Sequence, residues 1–274
     1  MGFGIDRWLD TKPGIGVELD LGHELVDGLE GFWTFNEGVG DSIHDLRNNN
    51  HGTNSGAVWG SGNFGDALDF DGTDIVKVPD DSTLVGFSEF TLEAWFLIRS
   101  MTGGGSGARL ISKSNGSTGD DYGVVLRGSN RNPGARAIIG GVTKLAEPSP
   151  AEPVDFDRWY QIVGVWDGIG IGLFIDAVQR ANISTSGAIA DNAKELGFGG
   201  HPDSGGRYID GFISHIRIWS RALSLDNIEW LRYEPFSMIK PRFRRTWFDV
   251  AAVAGANPKG PLGHPLYGAF GGPL

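Results

Sequence analysis

The segment from Gly211 to Leu231 constrains the fold more strongly than any other part of this sequence. It opens with Gly-Phe-Ile-Ser-His-Ile-Arg-Ile-Trp, in which side chains alternate in the manner of a β-strand. Strict alternation predicts one face formed by Phe212, Ser214, Ile216 and Ile218 and an opposite face formed by Ile213, His215, Arg217 and Trp219. We expect this strand to close a sheet.

A short helix is predicted immediately after the strand. Ser224 is a favourable N-cap, and Leu223 and Ile228 flank it with the spacing of a hydrophobic staple. Leu225, Ile228 and Leu231 recur on one face of this helix. A closing strand held by one short helix is a structural signature, and it carries no chemistry of its own.

The rest of the chain carries many short strand signals. Of its 274 residues, 44 are Gly and 13 are Pro, which supplies turns without reaching the roughly 25–30% typical of low-complexity disorder. Besides the closing strand, the pattern predicts strands at Gly31–Phe35, Ala67–Phe70, Ile75–Val78, Phe90–Ile98, Tyr122–Leu126, Arg136–Ile139, Trp159–Trp166, Gly172–Ile175 and Lys194–Phe198. Many short strands with one helix predict an all-β fold, an antiparallel two-sheet sandwich.

One hairpin can be predicted from local sequence. Trp159–Trp166 and Ile171–Ile175 flank Asp167-Gly168, a pair that readily adopts the positive φ angles of a tight turn. Cysteine is absent, so packing must stabilise the chain in place of disulfides or thiolate-bound metal.

The formal charge of −11 at pH 7 limits the ligand classes. An acidic body does not favour nucleic acid, which binds to positive surfaces, whereas acidic surfaces suit calcium. Charges interrupt the first ten residues, where a signal peptide needs an apolar stretch, and no run of about 18 apolar residues occurs. We expect no standard signal peptide and no membrane partner.

Composition divides the chain into three parts. Residues 1–27 are predicted to form an N-terminal arm, residues 28–233 the sandwich domain, and residues 234–274 a C-terminal arm. The second arm is first basic and aromatic and then rich in Gly and Pro. It has no core of its own, so we expect it either to be disordered or to dock on a neighbouring subunit or on the domain.

Five blocks occur in order within residues 28–233. They are Gly31-Phe-Trp-Thr-Phe-Asn-Glu-Gly with Asp45-Leu-Arg-Asn-Asn-Asn-His-Gly; Gly65-Asp-Ala-Leu-Asp-Phe-Asp-Gly with Val76-Lys-Val-Pro; Phe90-Thr-Leu-Glu-Ala-Trp; Arg158-Trp-Tyr-Gln-Ile-Val-Gly-Val-Trp-Asp-Gly; and the closing strand with Arg221-Ala-Leu-Ser. Together they resemble the laminin-G-like, concanavalin-A-like jelly-roll domains of bacterial and phage proteins. The resemblance implies a two-sheet jelly roll and does not specify a ligand.

Two positions depart from the family pattern. The closing strand of the family carries an Asp where this chain has Ser214. The family's Asp-Gly turn is Asp176-Ala177 here. Because alanine costs on the order of 1 kcal/mol where glycine supplies a positive φ, we expect a turn of another type at this place.

The resemblance also implies a structural calcium site. Relatives often bind calcium between the loop that matches residues 45–52 and the closing-strand Asp. Calcium takes about six to eight oxygen ligands, and Asp45, Asn48, Asn49 and Asn50 are the implied donors. Ser214 removes one charged ligand, so the alternative is an asparagine-rich turn whose side chains cap the backbone.

Glycoside hydrolysis is a less favoured class. Hydrolases need two carboxylates that face one cleft, about 5–5.5 Å apart for retention of configuration. Glu89 and Glu93 share a strand face, but Glu89 precedes the strand, and the Glu-x-Asp-x-x-Glu pattern of related hydrolases is absent. We therefore predict no catalytic residues.

Aromatic and basic residues are the remaining candidates for contacts. Four tryptophans are predicted to lie in the core: Trp33, Trp95, Trp159 and Trp219. Four others lie outside the predicted strands and are candidate contacts with a ligand or partner: Trp8, Trp59, Trp230 and Trp247. Arg242, Arg244 and Arg245 interleave with aromatics as in single-strand nucleic-acid binders, but docking on an acidic protein surface is the simpler expectation.

These features predict a non-catalytic recognition or structural module. The motif Tyr-Glu-Pro-Phe-x-Met-x-x-Pro-x-x-Arg-Arg resembles the arms of tailed-phage and uncultured-virus proteins. The first hypothesis is a virion surface protein, a capsid decoration or tail-associated subunit of a homo-oligomer, that binds glycans weakly and docks through its arms. The alternatives are a cell-surface or secreted carbohydrate-binding module and, third, a glycoside hydrolase or polysaccharide lyase.

Overall fold

The structure is a computed structural model of the chain. It describes residues 2–6, 11–100, 107–117, 119–128, 130–203, 205 and 207–246. These residues form two compact units, one within residues 7–241 and the other formed by two strands near the ends of the described chain.

The larger unit consists mainly of short strands. In chain order they are β2 (Leu29–Trp33), β3 (Ser42–Ile43), β4 (Gly52–Ser55), β5 (Val58–Gly62), β6 (Gly65–Asp71), β7 (Ile75–Val78), β8 (Phe90–Ser100), β9 (Ala108–Ser114), β10 (Asp120–Arg127), β11 (Asn132–Ile139), β12 (Val142–Ala146), β13 (Tyr160–Trp166), β14 (Gly170–Ile175), β15 (Val178–Ser184), β16 (Leu196–Phe198) and β17 (Asp210–Trp219). One α-helix, α1 (Leu225–Tyr233), follows β17, and short 3-10 helices cover Glu24–Val26 and Ser82–Leu84.

These strands form two antiparallel sheets. The front sheet has the order β12-β11-β10-β9-β16-β7-β4-β3. The back sheet has the order β15-β14-β13-β8-β17-β6-β5, and β2 also pairs with β17. A core of aromatic and aliphatic side chains from both sheets, among them Trp33, Phe70 and Phe96, fills the space between them. The predicted all-β two-sheet sandwich is confirmed.

The closing strand β17 contains a β-bulge at Ser214. In the pairing with β8, Ile213 lies opposite Phe96 and His215 lies opposite Trp95, so Ser214 is an extra residue between two successive pairs. A bulge of this kind exchanges the faces of the residues on its two sides.

The bulge corrects the alternation predicted from the sequence. Ile213 lies in the core with Ile216 and Ile218, although strict alternation places it on the opposite face. Phe212 is partly exposed on the outer face, where its ring centroid lies 6.2 Å from that of Trp159. The prediction is correct from His215 onward and wrong for Phe212 and Ile213.

A second hydrophobic core covers the outer face of the back sheet. Its buried members include Leu19, Leu25, Val26, Leu29, Phe32, Val163, Val165, Trp219, Leu223, Ile228, Leu231, Phe236, Met238 and Ile239. Residues 19–26 and 236–239, which the sequence assigns to arms, thus pack against the sheet together with α1. Since burying a large apolar side chain contributes about 1.5–3 kcal/mol, this layer is a substantial part of the stability.

The predicted helix is confirmed at α1. The Ser224 hydroxyl accepts a hydrogen bond from the Asn227 N–H at 3.2 Å, which satisfies one free donor of the first turn. Ile228 and Leu231 are fully buried. Leu225 is 48% exposed, so its predicted place on the buried face is wrong.

The predicted hairpin is also confirmed, and the turn that follows it is a correction. β13 and β14 pair antiparallel, and the Asp167 carboxylate accepts the N–H groups of Ile169 and Gly170 in their connection. Between β14 and β15, Asp176 and Ala177 have φ angles of 51° and 62°. The turn therefore keeps the left-handed conformation despite its alanine, contrary to the expectation of another turn type.

The smaller unit is an antiparallel pair of β1 (Gly2–Asp6) and β18 (Arg242–Thr246), with Gly2 opposite Thr246 and Asp6 opposite Arg242. In the described parts of the chain, no helix has both the length and the apolar character needed to span a membrane.

Candidate functional site

The Asp45 carboxylate lies at the centre of the loop that the sequence associates with calcium. One oxygen accepts the N–H groups of Phe32 at 2.8 Å and Arg47 at 2.9 Å, and the other accepts those of Asn48 at 3.0 Å and Asn50 at 3.3 Å. Burial raises the pKa of Asp45, while these four hydrogen bonds act in the opposite direction. An ionised carboxylate has about four lone-pair positions, so the four N–H donors occupy it fully.

Two of the three asparagines of this loop, Asn48 and Asn50, serve the same local network. The Asn48 side-chain amide donates to the Glu30 backbone carbonyl at 2.9 Å. The Asn50 side-chain amide donates to the Thr83 hydroxyl at 2.9 Å. The structure thus brings Asp45, Asn48 and Asn50 together, but as a loop whose polar side chains bond the chain around it.

A lysine ammonium lies against the bulge in the closing strand. Lys12 Nζ donates to the backbone carbonyls of Ser214 at 2.6 Å and Phe35 at 3.3 Å, and also to that of Asp66. Burial lowers the pKa of Lys12 to about 7, although the charges of Asp66 and Glu37 oppose this shift. The family pattern has a carboxylate at this position. This chain has Ser214 there, and the backbone carbonyl of Ser214 accepts a hydrogen bond from the Lys12 side chain.

These contacts do not fit a calcium ion held by Asp45 and Ser214. We expect millimolar calcium to leave the thermal unfolding temperature unchanged relative to EDTA, because calcium binding would have to displace four backbone donors from Asp45. A calcium-dependent increase in Tm that disappears in Asp45→Asn would contradict this prediction.

Glu89 and Glu93, the two glutamates considered as an acid/base pair, each bond to a different part of the structure. Glu93 is fully buried in an ion pair with Arg217, with an Oε2–Nη1 distance of 2.6 Å. Its other oxygen accepts a hydrogen bond from the Gln161 side chain at 2.8 Å. Glu89 accepts the backbone N–H of Ala222 at 3.2 Å.

The predicted tryptophan contacts fall in different places. Trp59 is partly exposed on β5, and its indole N–H donates to the Gly40 carbonyl at 3.1 Å. Trp230 of α1 donates to the Glu234 carboxylate at 3.1 Å, and its ring centroid lies 4.8 Å from that of His23. Trp8 and Trp247 lie outside the described residues.

The three arginines predicted as partner contacts lie in the smaller unit. Arg242, Arg244 and Arg245 are backbone members of β18, opposite residues 6, 4 and 3.

An open cleft of about 660 Å³ is lined in part by Gly40, the residue whose carbonyl accepts the indole N–H of Trp59, and we call it the Trp59 cleft. Its lining residues are Ile15, Gly16, Val17, Glu37, Val39, Gly40, Asp41, Ser42, His44, Asp45 and Leu46. Ile15 and Val39 are 66% and 78% exposed. The Glu37 carboxylate accepts the backbone N–H groups of Asn36 at 3.0 Å and His44 at 2.8 Å, and these hydrogen bonds hold the carboxylate in place in the cleft. The cleft thus combines an apolar surface with carboxylate and imidazole groups.

A buried charge cluster in the front sheet was missed in the sequence. Arg109 of β9 and Arg136 of β11 both contact the Asp120 carboxylate, each at 3.0 Å from Oδ2. The Ser112 hydroxyl donates to the same carboxylate, and His201 Nε2 lies 3.7 Å from it. The members are dispersed along the chain and come together only through strand pairing, so local spacing gave no signal.

The residues of this cluster differ in exposure. The side chains of Arg109 and Asp120 are 2% and 0% exposed, whereas that of Arg136 is 16% exposed. Arg207 is partly exposed, and its carbonyl accepts the backbone N–H of Arg109 at 3.0 Å. Burial lowers the pKa of Arg136; the Asp120 charge raises it, and the charges of Arg109 and Arg207 lower it further.

Solved structures with the same fold are diverse. The binding domain of Paraclostridial Mosquitocidal Protein 1 matches with a TM-score of 0.61 and 19% identity over 76% of this chain and 52% of that one. Domain 4 of AbnA, a GH43 extracellular arabinanase from Geobacillus stearothermophilus, matches with a TM-score of 0.54 and 16% identity over 74% and 98%. A structure of botulinum neurotoxin type C matches with a TM-score of 0.56 and 12% identity over 76% and 51%.

This chain therefore spans about half the length of the two toxin chains. At these identities the likeness concerns the fold. No curated protein matches the sequence. A family model does match residues 70–229, which include the closing strand and most of both sheets. The chain belongs to the concanavalin A-like lectin/glucanases superfamily.

Proposed function

We propose that this chain is a non-catalytic glycan-recognition module that binds sugars at the Trp59 cleft. The observation that carries the proposal is the cleft itself, in which exposed aliphatic side chains accompany fixed polar groups, and Trp59 donates a hydrogen bond to Gly40 of the lining. Sugars present apolar ring faces edged by hydroxyl groups, so a site for them needs both kinds of surface.

Two structural neighbours support the choice of ligand. Domain 4 of AbnA was solved in complex with arabinotriose, and cell entry of botulinum neurotoxin type C depends on interaction with two ganglioside molecules. The assignments of Glu93 to Arg217 and of Asp120 to Arg109 and Arg136 support a binding role, since these buried carboxylates already have cationic partners.

A glycan array tests this proposal. We expect binding to at least one oligosaccharide class, and Trp59→Ala should weaken it at least tenfold, equivalent to about 1.4 kcal/mol. Trp230→Ala is the matched control, because Trp230 lies on α1 and is bonded to Glu234. Thermal unfolding of both variants separates lost binding from lost stability.

The outcomes of this test distinguish the alternatives. Release of reducing sugar from a bound glycan would favour the glycoside hydrolase alternative. If no glycan binds on the array and no reducing sugar is released, glycan recognition is contradicted altogether. Equal loss of binding in the two tryptophan variants would contradict the assignment to the Trp59 cleft.

We also propose that the chain is a virion surface protein whose terminal segments dock on neighbouring subunits. The pairing of β1 with β18 supports it, because an isolated two-stranded ribbon is at best marginally stable in water and gains from further contacts. Light scattering should find the full chain as a symmetric oligomer. A monomeric full chain would favour the cell-surface or secreted carbohydrate-binding module instead.

A further inference from the structure

A small recess of about 60 Å³ adjoins the Trp59 cleft. Thr34 and Asn36 line only the recess, and six residues line both spaces: Ile15, Gly16, Val17, Glu37, His44 and Leu46. Thr34 is 1% exposed, so the recess extends from the open cleft toward the interior of the domain. Whole ligands occupy pockets of about 300–1,000 Å³, so a space of this size suits one substituent of a ligand rather than a sugar ring.

Hydrogen bonds between two chain segments hold the recess in shape. Residues 15–17 contribute one side of it, and the Asn36 side-chain amide donates to the carbonyl of the preceding Pro13 at 2.7 Å. The Thr34 hydroxyl donates to the side-chain carbonyl of Asn36 at 2.8 Å. A ligand that enters the recess therefore meets a space that is already formed, and its affinity is not reduced by the ordering of the walls.

The recess combines apolar side chains with a fixed carboxylate. Ile15, Val17 and Leu46 supply aliphatic surface. Each oxygen of the Glu37 carboxylate accepts one backbone N–H, at 2.8 and 3.0 Å. An ionised carboxylate has about four lone-pair positions, so Glu37 can still accept an N–H group from a ligand. A small substituent that carries both a methyl group and an N–H matches these surroundings.

The charge of the cleft lining favours a neutral ligand. In the described part of the chain, the lining includes the carboxylates of Glu37, Asp41 and Asp45 and neither lysine nor arginine. The Lys12 ammonium is buried against three backbone carbonyls, so a ligand in the cleft does not reach it. A sugar carboxylate would therefore meet like charges without a cationic partner, which opposes binding.

We propose that the Trp59 cleft takes a neutral N-acetylated amino sugar, whose acetamido methyl group packs on Val17 and Leu46 in the recess and whose acetamido N–H donates to Glu37. This inference rests on the proposed glycan recognition and adds the class of sugar. A sugar with a hydroxyl group in place of the acetamido group lacks the methyl group and the N–H, so it leaves the recess unfilled and should bind more weakly.

Matched oligosaccharides test this sugar class on the full chain. The probes are oligosaccharides of N-acetylglucosamine, glucosamine and glucose with the same linkage, together with the galactose-based series, and binding is measured by titration calorimetry. In at least one series, we expect the N-acetylated probe to bind about tenfold or more tightly than both counterparts. Val17→Phe fills the recess and should remove this preference. Val142→Phe, the same change at a 55% exposed valine of β12, should leave it intact.

A second variant covers the case in which Val17→Phe does not fold. Ile15 lines the recess and is 66% exposed, so Ile15→Ser should remain folded and lower the N-acetyl preference roughly threefold. Thermal unfolding identifies which variants are folded. Retention of the full preference in the folded recess variants overturns the assignment to the recess.

The remaining outcomes separate this inference from glycan recognition itself. Equal affinity for N-acetylated and hydroxyl forms, or no binding of any N-acetylated probe, overturns the inference. Glycan recognition then survives if another glycan binds on the array and fails if none does. Tighter binding of the free-amine probes would mean that the carboxylates select a cation, which overturns the acetamido assignment.

Discussion

Replacing Glu93 with glutamine is expected to lower the free energy of unfolding by about 3–5 kcal/mol. The change keeps the shape of the side chain but removes the only negative charge that the structure places against Arg217 among the described residues. Both side chains are fully buried, so the guanidinium would remain charged in a site that water does not reach. Burial already lowers the pKa of Arg217, and Glu93 opposes that effect.

The surroundings of Arg217 explain why the pair is needed. Its second terminal nitrogen donates to the Pro235 carbonyl, and its guanidinium lies 4.3 Å above the Phe32 ring and 5.9 Å from the Phe236 ring. Phe32 of β2 and residues 235–236, which follow α1, therefore surround the guanidinium. Loss of the carboxylate should destabilise the second core as a unit, because Arg217 contacts both Phe32 and Phe236, which belong to that core.

Chemical denaturation measures this effect, and two variants provide its controls. Glu152→Gln removes a surface ion pair with Arg180 and should cost at most about 1 kcal/mol. The double variant Glu93→Leu, Arg217→Met should recover most of the lost stability, since an apolar pair needs no compensating charge. A single variant that loses less than about 1 kcal/mol would show that Arg217 does not depend on Glu93.

The sequence predicted the regular parts of the fold because their signals are local. The Ser224 cap, the Ile228 and Leu231 face and the β13–β14 hairpin each depend on residues a few positions apart, and the structure confirms them. The strands that were missed, such as β5 and β15, have polar and exposed side chains and lack the apolar alternation of a half-buried strand.

The bulge at Ser214 had no such local signal. Phe212 and Ile213 are both large and apolar, so either could face the core, and only the pairing with β8 decides between them. The arginine cluster is a similar case, because Arg109 and Arg136 lie on different strands with β10 between them. Sites built across a sheet depend on strand order, which this sequence does not specify locally.

Replacing Lys12 with methionine is expected to change how stability depends on pH. In the folded protein burial lowers the pKa of Lys12 to about 7, whereas an unfolded lysine keeps a value near 10.5. Between these values the unfolded state binds more protons, so Lys12 makes the free energy of unfolding rise with pH. Below pH 7 both states carry the proton, and this group contributes no slope.

The expected size follows from the linkage of protonation to folding. The difference in unfolding free energy between wild type and Lys12→Met should shift in favour of wild type by about 2–3 kcal/mol from pH 7 to pH 9. Nearby charged groups alter this little: Asp66 and Glu37 already oppose the shift, and His215 stays neutral because burial, Arg217 and Lys12 hold its pKa well below the usual value.

Denaturant titrations at several pH values between 6 and 9 test this prediction. Lys240→Met is the matched control, because Lys240 pairs with Glu18 at the surface and its pKa is raised. A pH-independent difference between wild type and Lys12→Met would mean that the three carbonyls around Nζ hold the ammonium charged throughout. In that case Lys12 would be a permanent internal cation at the bulge in the closing strand, and its removal would destabilise the chain equally at every pH.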